Sequence, residues 1–85
     1  MNEYAIAFSS FYRAVYAQEK LQENKIRSTL KKTPPNLLRS CGYVVYLKTN
    51  SISIALDILE KAEIIARGVY RIEYENGMPK YIKID

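Results

Sequence analysis

The chain has 85 residues, a single cysteine, no histidine and a net charge of +4. A length like this makes one small domain, here residues 1–85, with a modest core, and an apolar share of 48% excludes a disordered chain. The lone cysteine excludes an internal disulfide framework and a multi-cysteine metal site, and the lack of histidine removes the commonest general base and metal ligand, so neither metal nor cofactor is expected. No apolar run approaches the ~20 residues that span a bilayer, and Met1-Asn2-Glu3-Tyr4 lacks the basic start and apolar core of a signal peptide. A reduced, cytoplasmic protein with no membrane partner is expected.

Tyr4-Ala5-Ile6-Ala7-Phe8 is a short apolar run that reads as a buried strand. Ser9 and Ser10 then offer hydroxyls as helix caps. Phe11, Ala14, Val15, Ala17 and Leu21 follow at mostly three- and four-residue steps, the stripe of an amphipathic helix. Asn24 is placed to take the left-handed conformation that ends it. Residues 26–33 read as a weaker, edge strand in which Lys31 and Lys32 discourage edge-to-edge pairing. Pro34-Pro35 stops it, since proline donates no ladder hydrogen bond.

Gly42-Tyr43-Val44-Val45-Tyr46-Leu47 is β-branched and aromatic throughout, the pattern of a central strand covered on both faces. Lys48-Thr49-Asn50-Ser51 forms a turn and cap. Ile52, Ala55, Leu56, Leu59 and Ala62 make a second helical stripe. Residues 64–72 read as a fourth strand interrupted by Gly68. Asn76-Gly77 marks a two-residue hairpin turn, which sets Glu73 opposite Lys80 and Ile72 opposite Tyr81.

The order strand, helix, strand, strand, helix, strand is that of an α+β, ferredoxin-like βαββαβ sandwich. Its antiparallel sheet has two helices on one face, strands 4–8 and 43–47 at its centre and a C-terminal hairpin arm. The face turned away from the helices then carries apolar residues that need cover, from the arm or from a second copy. A homodimer packed through the sheets is expected.

The chemistry concentrates in Pro34-Pro35-Asn36-Leu37-Leu38-Arg39-Ser40-Cys41-Gly42. A cysteine reacts as thiolate. Arg39, Lys31 and Lys32 favour that anion if the loop folds back on the basic strand, Ser40 is a donor to sulfur, and Gly42 lets backbone approach a bound group. No internal base stands by, so activation falls to charge, backbone N–H groups or a partner. A lone cysteine beside an apolar strand is also a common small core residue. Asp57, Glu60 and Glu63 are spaced as a solvated helix edge, and an enzyme acting alone is not expected.

The chain resembles the short bacterial proteins grouped as Se/S carrier protein-like. Ser40-Cys41-Gly42, followed by an apolar strand and preceded by Pro34, carries the likeness. Phe8, Ser10, Ala14, Ala17 and Leu21 add to it early in the chain, and Gly68-Val69-Tyr70-Arg71-Ile72 late. Phe11, Tyr12, Pro35, Leu38 and Arg39 depart from it, and the arm from Glu75 extends past its usual end. The resemblance implies that Cys41 carries sulfur or selenium as a persulfide or selenosulfide between donor and acceptor proteins. Two other readings compete. A non-catalytic domain for small-molecule sensing or protein assembly would use Tyr12 and Tyr16 as a binding face. A nucleic-acid binder would stack bases on tyrosines; it is not expected, because Tyr43 and Tyr46 point to opposite faces and no RNP-like pattern is present.

Overall fold

The structure is a computed structural model that describes residues 1–35, 37 and 42–85. Seven elements follow one another among them. They are β1 (Asn2–Phe8), α1 (Phe11–Glu23), β2 (Ser28–Lys32), β3 (Tyr43–Thr49), α2 (Ile52–Lys61), β4 (Gly68–Glu75) and β5 (Met78–Lys83). The five strands form one antiparallel sheet in the order β2-β3-β1-β4-β5. This is the expected ferredoxin-like arrangement. β1 and β3 are both flanked by neighbours, and β2 is an edge.

Alternation along the strands divides the core in two. On the helix side, Tyr4, Ile6, Phe8, Val45, Leu47 and Val69 meet Ala14, Ala17 and Leu21 of α1 and Ala55 and Leu59 of α2. The alanines at the contact let the helices lie close to the sheet, and ring and branched side chains fill the space between. On the other side, Ala5, Ala7, Val44 and Ile72 are buried beneath Leu37, Tyr46, Tyr70 and Tyr81. The apolar centre of the open face is thus covered within one chain, largely by tyrosine, and its burial requires no second copy.

Both helices end in the same way. Lys25, not Asn24, takes the left-handed conformation after α1 (φ 62°), and Glu63 does so after α2 (φ 58°). The next amide returns to the helix in each case, Ile26 to the Leu21 carbonyl and Ile64 to the Leu59 carbonyl, both at 2.9 Å. These are Schellman ends, in which the returning residue also makes an apolar contact with the last turn. The fourth strand therefore begins at Gly68, not at Ile64. Ile64 closes the helix and joins the core, Ile65 is exposed, and the Arg67 amide already donates to the Ala7 carbonyl of β1 at 2.7 Å.

The arm forms as expected. Asn76 (φ 54°) and Gly77 (φ 80°) make the turn, and Ile72 faces Tyr81 and Glu73 faces Lys80. Tyr46 and Tyr81 share a hydrogen bond at 3.4 Å across the open face. Burial first, and that bond second, push the Tyr46 phenol well above its ordinary pKa. A raised folded pKa means that stability is complete below the unfolded value, near 10, and is lost as pH rises above it. Urea midpoints measured from pH 8 to 11 should fall above pH 10, and Tyr46→Phe should flatten the fall. An equal fall in the variant would rule out Tyr46 as its source.

Candidate functional site

The loop of interest leaves the sheet between Thr33 and Gly42, where β2 ends and β3 begins. The Thr33 amide donates to the Gly42 carbonyl at 3.0 Å and closes this mouth. Gly42 is buried against β1. A Cβ built there would lie 2.8 Å from the Phe8 carbonyl oxygen and 3.3 Å from Thr33 Oγ1. The glycine is thus required by the approach of the chain to its own central strand, a different reason from the ligand contact expected of it. Thr33 Oγ1 is itself buried, with no hydrogen-bond partner among the described residues.

The start of α1 shares this end of the sheet, because β1 delivers the chain there through Phe8. Ser10 caps the helix as expected: its Oγ accepts from the Arg13 amide at 3.2 Å, and its carbonyl accepts from Ala14 at 3.2 Å. Arg13 Nη1 reaches Ser9 Oγ at 3.5 Å. Phe11 is half exposed and meets the Tyr43 ring edge-on, with centroids 5.2 Å apart. The positive end of the α1 dipole and the Arg13 guanidinium both favour an anion in this region. Arg13 is not one of the cations that the loop motif points to. Its signal in the sequence is its place three residues after a capping serine, in the first helical turn.

The other expected cations separate. Lys32 pairs with Tyr43 and Lys31 with Val44, so their side chains take opposite faces of β2. Cys41, Ser40 and Arg39 lie outside the described residues.

Two larger concavities lie elsewhere. One of about 870 Å³ runs along the outer helix surface past Tyr16, Lys20, Asp57 and Lys61. Lys20 Nζ sits over the Tyr16 ring at 5.3 Å and pairs with Glu23 at 3.4 Å, and the bond to Glu23 raises its pKa. Tyr12 is 85% exposed beside this surface. The other, about 1030 Å³, is bordered by Met1, Lys25, Arg27, Lys48 and Ser51, where β1 starts and β3 ends, remote from Gly42. Among the described residues, no helix is long and apolar enough to cross a membrane.

Comparison with known proteins bears on this end of the molecule. No curated protein matches the chain. A crystal structure of a functionally unknown protein from Pediococcus pentosaceus ATCC 25745 matches 98% of this chain and 81% of its own, with a TM-score of 0.51 and 19% identity. That likeness shows a shared fold. A family model matches residues 3–71, from β1 to the middle of β4, and so takes in the mouth at Thr33 and Gly42 together with the loop between them. With four-fifths of its length inside that match, the chain belongs to the family described as "Putative Se/S carrier protein-like".

Proposed function

We propose that the chain is a sulfur or selenium carrier whose working atom is Cys41 Sγ, loaded by one protein and unloaded by another. The observation that carries this reading is the family match, which spans the only cysteine of the chain. The surroundings of the mouth support it. A carrier needs no base or metal of its own, because its partners supply them. It gains from groups that favour the thiolate, and the start of α1 and Arg13 lie at the end of the sheet where Gly42 leads into β3. Ser40 and Arg39, the immediate neighbours of Cys41, are assigned to holding the loaded anion. In a reduced, cytoplasmic setting the thiol stays available for loading.

The transfer is balanced without an oxidant. Cys41 thiolate attacks the outer sulfur of a donor persulfide, R–S–SH. A new S–S bond forms to Cys41, the old one breaks, and R–S⁻ leaves. The sulfur moves at its own oxidation level. Attack on the selenium of a selenodisulfide, R–S–Se–S–R, likewise leaves Cys41–S–Se–S–R and releases R–S⁻. On this reading the chain is not an enzyme, since it is changed by one turnover and restored only by an acceptor.

The test is intact-mass measurement after incubation with glutathione persulfide and, separately, with selenodiglutathione. Wild type should gain one sulfur from the first and one selenium-bearing adduct from the second, and Cys41→Ser neither. No gain on wild type, or equal gain on the variant, would falsify the proposal and favour a sensing or assembly domain.

A further inference from the structure

The open face of the sheet gathers residues that are scattered in the chain. Pairing registers set Thr29 and Lys31 of β2, Val44, Tyr46 and Lys48 of β3, Glu3, Ala5 and Ala7 of β1, Tyr70, Ile72 and Tyr74 of β4, and Pro79, Tyr81 and Lys83 of β5 on one side. Tyr43 does point the other way, toward the helices. Tyr70, Tyr74 and Tyr81 nevertheless join Tyr46. Tyr46, Tyr74 and Tyr81 line one shallow concavity of about 330 Å³, floored by Ile72 and edged by Lys31.

Charge on this face is one-sided. Among the described residues, Glu3 is the only acidic strand residue on it. Its carboxylate is already held by the Tyr74 hydroxyl, which donates at 2.8 Å, and by Lys48 at 3.7 Å. Lys31 and Lys83 have no ion pair among the described residues. Tyr74 is 60% exposed, so its ring is presented and not spent on the core. Aromatic rings on a sheet face, ringed by lysines, are the chemistry that stacks unpaired bases and neutralises the phosphates between them. From Lys31 on β2 to Lys83 on β5 the face spans four strand spacings, roughly 19 Å. That suits a run of about four nucleotides, the low end of site sizes on small folds. A second copy of the chain would bring the same lysines face to face, so charge favours a polyanion over self-pairing.

We infer that the open sheet face is a binding surface for single-stranded nucleic acid, with Tyr46, Tyr74 and Tyr81 as the stacking platform and the unpaired Lys31 and Lys83 as the phosphate contacts. Tyr74 and Tyr81 lie beyond the residues matched to the family, so the surface depends on the end of β4 and on β5. It is independent of sulfur loading, which a separate mass measurement reads.

The experiment is fluorescence anisotropy with labelled twelve-nucleotide oligouridylate and oligothymidylate, at salt from 50 to 200 mM. Binding should weaken with salt at a log–log slope of about −1.4, the value for two phosphate contacts on a single strand. Lys31→Ala should reduce that slope by about 0.7. Tyr74→Ala should weaken binding at least about fivefold, whereas Tyr74→Phe, which keeps the ring, should bind within about twofold. Tyr74 is exposed, so both variants should fold, and circular dichroism checks this. No binding at 50 mM salt overturns the proposal. So does binding insensitive to salt, equal binding by Tyr74→Ala and wild type, or a dimer seen in sedimentation that Tyr74→Ala dissolves.

Discussion

Gly42→Ala should lower the melting temperature sharply while leaving the cysteine in place, and Cys41→Ser should do the reverse. The Gly42 position has no room for a methyl group. The nearest atom is the Phe8 carbonyl oxygen at 2.8 Å, part of the backbone of the central strand, and it cannot rotate away as a side-chain end would. Overpacking of this kind costs about 1–3 kcal/mol. In a domain of this size each kcal/mol moves the midpoint by about 4–8 °C. On the proposed carrier reading the thiol must, by contrast, be reachable, and exchanging an exposed thiol for a hydroxyl costs within about 0.5 kcal/mol. Cys41→Ser should therefore melt close to wild type and take up no sulfur. Differential scanning calorimetry beside the mass measurement separates scaffold from chemistry. A Gly42→Ala chain that melts with wild type would show that the close approach to Phe8 is not what demands glycine after the cysteine.

Much of this architecture is legible in the sequence, and the parts that are not share a cause. The turn at Asn76-Gly77 is local: it needs two residues tolerant of positive φ, and the register of the whole arm follows from it. The central placement of β1 and β3 follows from strands that are apolar on both faces. The start of β4 misleads because Ile64 and Ile65 are β-branched, yet Ile64 is claimed by the end of α2 through its bond to Leu59. Helix termination, a backbone matter, outweighs strand propensity there. The tyrosine cluster is invisible one strand at a time, since it exists only once the pairings of β1, β3, β4 and β5 are fixed together. The proposed site residues Arg39, Ser40 and Cys41 rest on the motif alone and lie outside the described residues. What the structure adds is their flank: Gly42 pressed on Phe8, Thr33 closing the mouth, and the start of α1 at the same end of the sheet.

Phe8 is where these features converge, and Phe8→Ala should be the most damaging single truncation in the chain. Among the described residues it is the largest fully buried side chain, and it is the last residue of β1. Its ring fills the helix-side core with Ala14, Ala17 and Leu21, while its backbone pairs with Tyr43. Removing a buried phenylalanine ring costs about 3–5 kcal/mol, comparable to the lower range of total stability for a small domain, about 5 kcal/mol. Urea titration should show the variant largely unfolded or with its midpoint lowered by more than half, and Phe8→Leu should retain most of the lost stability. The double variant of Gly42→Ala with Phe8→Leu, which keeps enough stability to be measured, is the sharper measurement. The atoms that a Gly42 methyl meets are the Phe8 carbonyl and Thr33 Oγ1, not the Phe8 ring. Truncating the ring should therefore give no rescue of Gly42→Ala. If Gly42→Ala cost clearly less in the Phe8→Leu background than in wild type, the close approach would be one of side chain to side chain, and the mouth of the loop would owe its shape to the core and not to the central strand's backbone.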